Sequence, residues 1–180
     1  MTGHAVKPQE LISRERIEAR VAELAQAIAR DYADADDGIL LIGVLKGAFI
    51  FLADLARALA VPNAVDFLAL SSYGANGAAR GAVRIVLDLR ASIRGRHVLV
   101  VEDIVDTGHT LAYVRKMLGV RQPASLRACA LVTKPARREI DVPLEYVGFE
   151  IPDVWVVGYG LDHSDRYRTL PYIGALPKES

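Results

Sequence analysis

The sequence has a single cysteine, no surplus of either charge and no apolar run long enough for a membrane span. Cys129 has no partner for an intramolecular disulfide, and no Cys/His cluster has zinc spacing. Since it lies in the apolar segment LRACALV, we expect it to be a small core residue. The 22 basic and 22 acidic residues cancel. Nucleic acids and acidic membranes attract a basic surplus, so neither is an expected partner.

Membrane and export signals are also lacking. The most apolar region, residues 39–53, contains Lys46 and is followed by Asp54. It is shorter than the roughly 18 uninterrupted apolar residues of a membrane span. The first ten residues, MTGHAVKPQE, contain no cationic segment followed by an apolar one, so we expect no signal peptide. We predict a cytoplasmic protein whose 180 residues, 1–180, form a single domain.

The apolar pattern predicts alternating strands and helices. Helical spacing predicts an amphipathic helix over residues 13–32 with Ser13 as its N-cap, from Ile17, Val21, Leu24 and Ile28. ILLIGVL is typical of a strand buried on both faces, and AFIFLADLARALA and residues 110–118 predict helices. Further strands are predicted at AVDFLALS, AVRIVLDL, HVLVV, SLRACALVT, LEYVGFEI and VWVVGYG, followed by an irregular tail. This order predicts an α/β fold with a mostly parallel, twisted sheet flanked by helices.

One segment, VLVVEDIVDTGHTL, combines a buried strand, three acids and a loop that opens a helix. Backbone N–H groups at a helix start bind anions, and Gly108 allows a close approach. Glu102 and Asp103 could accept hydrogen bonds from vicinal hydroxyls or lie near Mg²⁺. A sugar phosphate satisfies both halves. Alternatively, the acids only cap the helix, which is ordinary for Asp106 alone; three acids together repel one another, which favours a ligand.

Further candidate positions lie outside this segment, and two of them, Lys134 and Trp155, allow two interpretations each. Lys46 interrupts an apolar run and must reach water or an anion. Lys134, before Pro135, is either functional or a solvated turn lysine. Trp155, in VWVV, is either a core residue or a stacking platform. Residues 72–81 are rich in Gly, Ala and polar residues without periodicity, which predicts a mobile loop.

The motif resembles the phosphoribosyl-diphosphate binding motif of type I phosphoribosyltransferases. LIGVLKGAFIF, LSSYG, LVTKP and VGFEIPDVWVVGYGLD…YR resemble, in that order, landmarks of the hypoxanthine-guanine phosphoribosyltransferases, from about residue 39 to 170. The resemblance implies a type I fold with a small hood formed by terminal segments. It implies a purine-salvage pentosyltransferase that uses Mg²⁺ to transfer 5-phosphoribosyl from phosphoribosyl diphosphate to N9 of hypoxanthine or guanine, giving IMP or GMP and pyrophosphate. A homodimer or homotetramer is expected.

The resemblance also assigns the sugar-phosphate side of the site. Glu102 and Asp103 match the pair that holds the ribose hydroxyls and nearby metal-bound water. The 5′-phosphate loop is matched by Thr107, Gly108, His109 and Thr110. Pyrophosphate contacts are matched by Leu45, Lys46, Gly47 and Arg168, and relatives often have a cis peptide before the lysine. Ser72 and Tyr73 match the mobile loop that closes over the reacting centre.

On the base side, Asp106 matches the acid near purine N7, the general base. Lys134 matches the residue that contacts purine O6. Trp155 takes the stacking position, and the backbone of Val156 reads the pyrimidine edge of the purine. The metal ligands implied for Mg²⁺ are Glu102, Asp103 and Asp162.

Departures from the family pattern are few. His109 stands where some members have lysine, and Leu87 and Arg90 differ from many relatives, which affects the expected surface and subunit contacts.

Two alternatives stay open: a regulator that senses phosphoribosyl diphosphate and binds RNA or DNA, and a transferase for another base such as xanthine. The sequence does not rank hypoxanthine, guanine and xanthine.

Overall fold

The computed structural model describes residues 7–73 and 82–177 of the chain. Three α-helices are α1 (Arg14–Asp31), α2 (Phe49–Ala58) and α3 (His109–Gly119), and Pro135–Arg137 form a 3₁₀ turn. The strands are β1 (Gln9–Ile12), β2 (Ile39–Leu45), β3 (Asn63–Tyr73), β4 (Ala82–Leu87), β5 (His97–Val105), β6 (Ser125–Thr133), β7 (Tyr146–Glu150), β8 (Trp155–Val157) and β9 (Ile173–Leu176). None of the helices within the described ranges is long and apolar enough to cross a bilayer.

Six strands form the main sheet, in the order β4-β3-β2-β5-β6-β7. Neighbouring strands from β3 to β7 run parallel, and only β4 is antiparallel, at the edge. The predicted mostly parallel sheet is therefore confirmed. Parallel neighbours also place their carboxyl ends at a common edge, which is where ligands bind in such sheets.

Alternate residues of the central strands face two separate cores. Ile39 and Leu41 pack with α1 and α2, together with Cys129 of β6. Leu40 and Ile42 pack on the opposite face with α3. Since both faces are covered, the strand sequence is continuously apolar rather than alternating. Cys129 is fully buried, which confirms it as a core residue, and its burial raises the thiol pKa.

The predicted first helix forms with its expected cap. Oγ of Ser13 accepts a hydrogen bond from the backbone N–H of Arg16, and α1 begins at Arg14 and ends at Asp31. The apolar residues that predicted α1 are all buried: Ile17, Val21, Leu24 and Ile28. The helix is therefore held by the face that its spacing defined.

A second, antiparallel sheet joins the two ends of the described chain in the order β1-β9-β8. It forms the hood of terminal segments that the family resemblance implied. The prediction of an irregular tail was wrong, because Ile173–Leu176 pair with both β1 and β8. Four residues are too short to show an alternating pattern, so the pairing partners determine this strand.

Candidate active site

Three segments with predicted site residues meet at one edge of the main sheet. Lys46 and Gly47 follow β2, residues 106–110 follow β5, and Lys134 follows β6. β5 lies between β2 and β6 and is parallel to both. Because the three strands end together, these segments come from distant parts of the sequence into one site.

The acidic pair lies within β5, which continues past it to Val105. Glu102 is 5% exposed, and its Oε1 has no hydrogen-bond partner among residues 7–73 and 82–177. Burial, reinforced by the adjacent charge of Asp103, raises the pKa of Glu102 well above its usual value. Burial also raises the pKa of Asp103 to about 6, against the opposing charge of Arg168. A hydrogen bond from a ligand hydroxyl, or a nearby cation, would reduce the cost of burying these two carboxylates in their charged form.

Gly47 lies directly against this pair. A Cβ at Gly47 would fall 1.5 Å from Oδ2 of Asp103, and a Cβ at Gly160 would fall 2.0 Å from the carbonyl oxygen of Gly47. The peptide bond between Leu45 and Lys46 is cis, as often found in the family that the sequence resembles. Glycine is therefore the residue that fits at both positions, against the Asp103 carboxylate at Gly47 and against the Gly47 backbone at Gly160.

The predicted phosphate loop opens α3 without a side-chain cap. Gly108 takes the N-cap position with φ 93°, a left-handed conformation that favours glycine. A Cβ there would lie 2.8 Å from the carbonyl oxygen of Ile140 and 3.3 Å from the side chain of Arg138. Thr107 accepts two backbone hydrogen bonds through its carbonyl oxygen. Residues 138–140 therefore stabilise the loop on one side, while the backbone N–H groups at the start of α3 are available to an anion.

The two predicted pyrophosphate-binding cations meet on one carboxylate. Lys46 Nζ and Arg168 Nη2 each lie 3.0 Å from Oδ1 of Asp165. Arg168 also pairs with Asp162 at 2.8 Å and donates to the carbonyl oxygen of Gly160 at 2.9 Å. The segment between β8 and β9 therefore holds both cations next to the loop after β2.

Lys134 is not a solvated turn lysine, because it is only 6% exposed. Its backbone N–H donates to the carbonyl oxygen of Val105 at 3.1 Å, which ties it to the end of β5. Its Nζ lies 3.9 Å from Oδ1 of Asp153. Nearby, Asp106 accepts a hydrogen bond from Nε of Arg137 at 2.7 Å. Asp106 and Lys134 therefore lie at adjoining strand ends, with Arg137 and Asp153 beside them.

Trp155 is 59% exposed, so it is not a core residue. Its ring meets His163 edge to face, with centroids 5.4 Å apart and planes at 89°. One ring face can therefore remain available for stacking. The next residue, Val156, is buried and pairs with Ala175 of β9, which fixes its backbone in the small sheet.

Ser72 and Tyr73 end β3 and pair with β4. Residues 74–81, most of the predicted mobile loop, lie outside the described residues. Within the described ranges, no group of three or more His, Cys, Asp or Glu side chains is close enough to hold a metal ion unaided. Any Mg²⁺ at this site would need substrate oxygens in addition to protein carboxylates.

Sequence reasoning missed four charged residues that contact the site: Arg137, Arg138, Asp153 and Asp165. Arg138 donates to Oγ1 of Thr133 at 2.6 Å and lies behind the phosphate loop. Arg137 and Arg138 follow Lys134 closely in the sequence, and that clustering of basic residues after a strand was the available signal. Asp165 had none, since its partner Lys46 is 119 positions away.

Known proteins that are similar to this chain belong to the family that its motifs resemble. Residues 9–164 match the phosphoribosyl transferase domain family. The chain is 51% identical over 164 residues to the hypoxanthine phosphoribosyltransferase of Salmonella typhimurium, covering 91% of this chain and 92% of the relative. It is 51% identical over 170 residues to the hypoxanthine-guanine phosphoribosyltransferase of Mycobacterium avium, covering 92% of this chain and 84% of the relative.

Solved structures agree in fold as well as in sequence. A hypoxanthine-guanine phosphoribosyltransferase from Bacillus anthracis superposes with a TM-score of 0.89 at 42% identity, covering 96% of this chain and all of that chain. Trypanosoma cruzi hypoxanthine phosphoribosyltransferase, in complex with the product IMP, gives a TM-score of 0.89 at 42% identity and covers 98% of both chains.

Proposed function

The chain belongs to the hypoxanthine-guanine phosphoribosyltransferases, and we propose that it transfers 5-phosphoribosyl from phosphoribosyl diphosphate to N9 of hypoxanthine or guanine. The products are IMP or GMP and pyrophosphate, a purine-salvage reaction. One observation carries the proposal: a helix start without a side-chain cap, the acidic pair with its buried Glu102, and the buried Lys134 meet at one sheet edge. A sugar phosphate and a 6-oxopurine together use all three.

On the sugar side, the N–H groups at the start of α3 bind the 5′-phosphate, assisted by the hydroxyls of Thr107 and Thr110. Glu102 and Asp103 accept hydrogen bonds from the ribose hydroxyls, which supplies the partner that Oε1 of Glu102 lacks. Lys46 and Arg168 bind the pyrophosphate with the backbone of the Gly47 loop. Since both cations lie near Asp165, the pyrophosphate would compete with that carboxylate for them.

In the reaction, the bond between the anomeric carbon and the pyrophosphate oxygen breaks, and its electron pair leaves with the pyrophosphate. The purine N9 lone pair forms the new bond. Asp106 takes the proton from N7, which makes N9 a better nucleophile. Lys46 and Arg168 stabilise the charge that develops on the leaving group.

On the base side, the Nζ of Lys134 donates to purine O6, and Trp155 stacks on the ring. The backbone of Val156 contacts the pyrimidine edge of the purine. Burial of Lys134 makes its specificity for a carbonyl oxygen strong, since an amine at position 6 would leave a buried donor facing another donor.

The carboxylates also fit a Mg²⁺ ion. Glu102, Asp103 and Asp162 offer the oxygen donors that Mg²⁺ prefers, and burial, with the charge of Asp162, raises the pKa of Asp103 to about 6, so a cation there would favour its charged form. When bound with the substrate, the ion would neutralise charge on the pyrophosphate. Since no three such side chains in the described ranges are close enough to hold a metal ion unaided, we assign these residues as ligands that would share the ion with substrate oxygens.

The alternative of a phosphoribosyl-diphosphate-sensing regulator is less well supported, because the net charge is zero and the chain has residues that match the family's purine contacts at Lys134, Trp155 and Val156. We further propose one domain over 1–180, a cytoplasmic location, and a homodimer or homotetramer. Exposed apolar side chains on α2, β3 and β4 support self-association: Phe49, Val65, Val86 and Leu87. Light scattering after size-exclusion chromatography would test the assembly.

The activity is tested by supplying the protein with phosphoribosyl diphosphate, Mg²⁺ and one base at a time, and measuring the nucleotide formed. Hypoxanthine and guanine should give IMP and GMP. Xanthine, tested in parallel, decides between these bases and the remaining alternative. If none of the 6-oxopurines yields a nucleotide, the proposal is overturned.

A further inference from the structure

Arg137 links Asp106 to a second carboxylate. Its Nε donates to Oδ1 of Asp106 at 2.7 Å, and its Nη1 lies 3.7 Å from Oδ2 of Asp153. Oδ1 of Asp153 is in turn 3.9 Å from Nζ of the buried Lys134. Four side chains of alternating charge therefore run from the proposed base to the proposed O6 contact.

The backbone holds Arg137 in register with this pocket. Arg137 ends the 3₁₀ turn that starts at Pro135, and its N–H donates to the carbonyl oxygen of Lys134 at 3.0 Å. Lys134 is itself tied to Val105 at the end of β5. The guanidinium is consequently positioned by the same turn that positions the lysine, not by a long flexible loop.

We propose that Arg137 is a positioning residue, which orients the carboxylate of Asp106 toward purine N7; this rests on the function proposed above. Nε of Arg137 occupies Oδ1 of Asp106, so Oδ2 remains for the N7 proton. Purine O6 and N7 lie on the same edge of the base. The distance between Lys134 and Asp106 must match that edge, and the bridge through Arg137 and Asp153 sets it.

Without this contact, Asp106 has freedom to turn away, because its side chain is 37% exposed. An ordinary surface ion pair would have little effect on either stability or turnover. Turnover therefore separates the two roles. A reacting side chain that is held loosely loses rate even when the substrate still binds.

The test is Arg137→Met, assayed with hypoxanthine. We expect kcat to fall roughly 10- to 100-fold, the usual effect of losing a residue that orients a functional side chain. The KM for phosphoribosyl diphosphate should change by no more than about 2-fold, since the sugar site is not involved. Arg137→Lys should recover part of kcat, because an ammonium can donate to the same oxygen. The matched control is Arg121→Met, which breaks a pair with Asp88 away from the site and should leave kcat unchanged.

A double-mutant cycle with Asp106→Asn completes the test. If Arg137 acts through Asp106, Arg137→Met should cost no more than about 2-fold in the Asp106→Asn background. Independent losses that multiply, or an unchanged kcat in Arg137→Met alone, would overturn the positioning role. Arg137→Gln repeats the measurement if the Met variant does not fold by circular dichroism. An active wild type with an unaffected variant rejects only this inference, whereas a wild type inactive on every 6-oxopurine rejects the proposed function as well.

Discussion

Gly47 is packed against the carboxylate of Asp103 so closely that a Cβ at Gly47 would lie 1.5 Å from Oδ2. Gly160 approaches the same loop from the other side, since its own Cβ would lie 2.0 Å from the Gly47 carbonyl oxygen. Real Cβ contacts do not become this short, so any side chain at Gly47 must displace the carboxylate of Asp103.

Gly47→Ala should therefore lower kcat/KM for phosphoribosyl diphosphate by roughly 100-fold, because a displacement of about 1 Å in a reacting site has that effect. Steady-state kinetics with saturating hypoxanthine measures it. Gly119→Ala is the matched control, because a Cβ there meets nothing within 4 Å. Comparable kinetics in the two variants would contradict the close packing.

Asp103 should make the ligand-free protein less stable as the pH rises. Burial raises its pKa to about 6, whereas the pKa of an aspartate in the unfolded chain is about 3.9. The folded state then binds the proton more tightly, so the stability due to protonation is fully present below about pH 4 and is lost as the pH rises through 6. Asp103→Asn removes this titration. The melting temperature of Asp103→Asn minus that of wild type should become more positive as the pH is raised from 5 to 8. Asp36→Asn, at an exposed position, serves as the control. A constant difference across that range would exclude the effect.

Mg²⁺ should be required for activity, and chelation should abolish it. Glu102, Asp103 and Asp162 would otherwise face a pyrophosphate of the same sign in a partly buried site. Thermal unfolding provides a second measurement: phosphoribosyl diphosphate with Mg²⁺ should raise the melting temperature more than the sum of either alone. Full activity in excess chelator would remove the metal from the proposal.

The sequence was sufficient for features that are contiguous. The run from Val98 to Leu111 contains a buried strand, the acids and the helix start in one stretch, so the strand and the start of α3 could be predicted directly. Ser13 and the spacing of its helix were equally local. Both predictions depend on neighbours in the chain, which is the information that periodicity carries.

Contacts between distant segments could not be predicted in the same way. Arg137 reaches Asp106 across 31 positions, and Lys46 reaches Asp165 across 119. The strand Ile173–Leu176 depends on two partners at opposite ends of the sequence. In each case the determining interaction is tertiary, and the residue types alone are equally suited to an exposed loop.

Asp106→Asn should lower kcat strongly and leave sugar-phosphate binding largely intact. The amide keeps the shape of the side chain but cannot accept the N7 proton, and loss of a general base typically costs about 10²- to 10⁴-fold. Kinetics with hypoxanthine gives kcat, and calorimetric titration with phosphoribosyl diphosphate and Mg²⁺ gives the binding. Near-normal turnover would show that Asp106 is not the base.

The choice of base should depend on Lys134. Its ammonium donates and does not accept hydrogen bonds, and it is 6% exposed, so it favours an oxygen at purine position 6 and opposes an amine there. Hypoxanthine and guanine should be substrates, and adenine should fail. Lys134→Met should weaken the 6-oxopurines more than adenine and so reduce the discrimination, measured as the ratio of kcat/KM values. Trp155→Leu is the comparison, because stacking does not distinguish position 6 and every accepted base should weaken in parallel. If Lys134→Met left the ratio unchanged, its proposed contact with O6 would have to be abandoned.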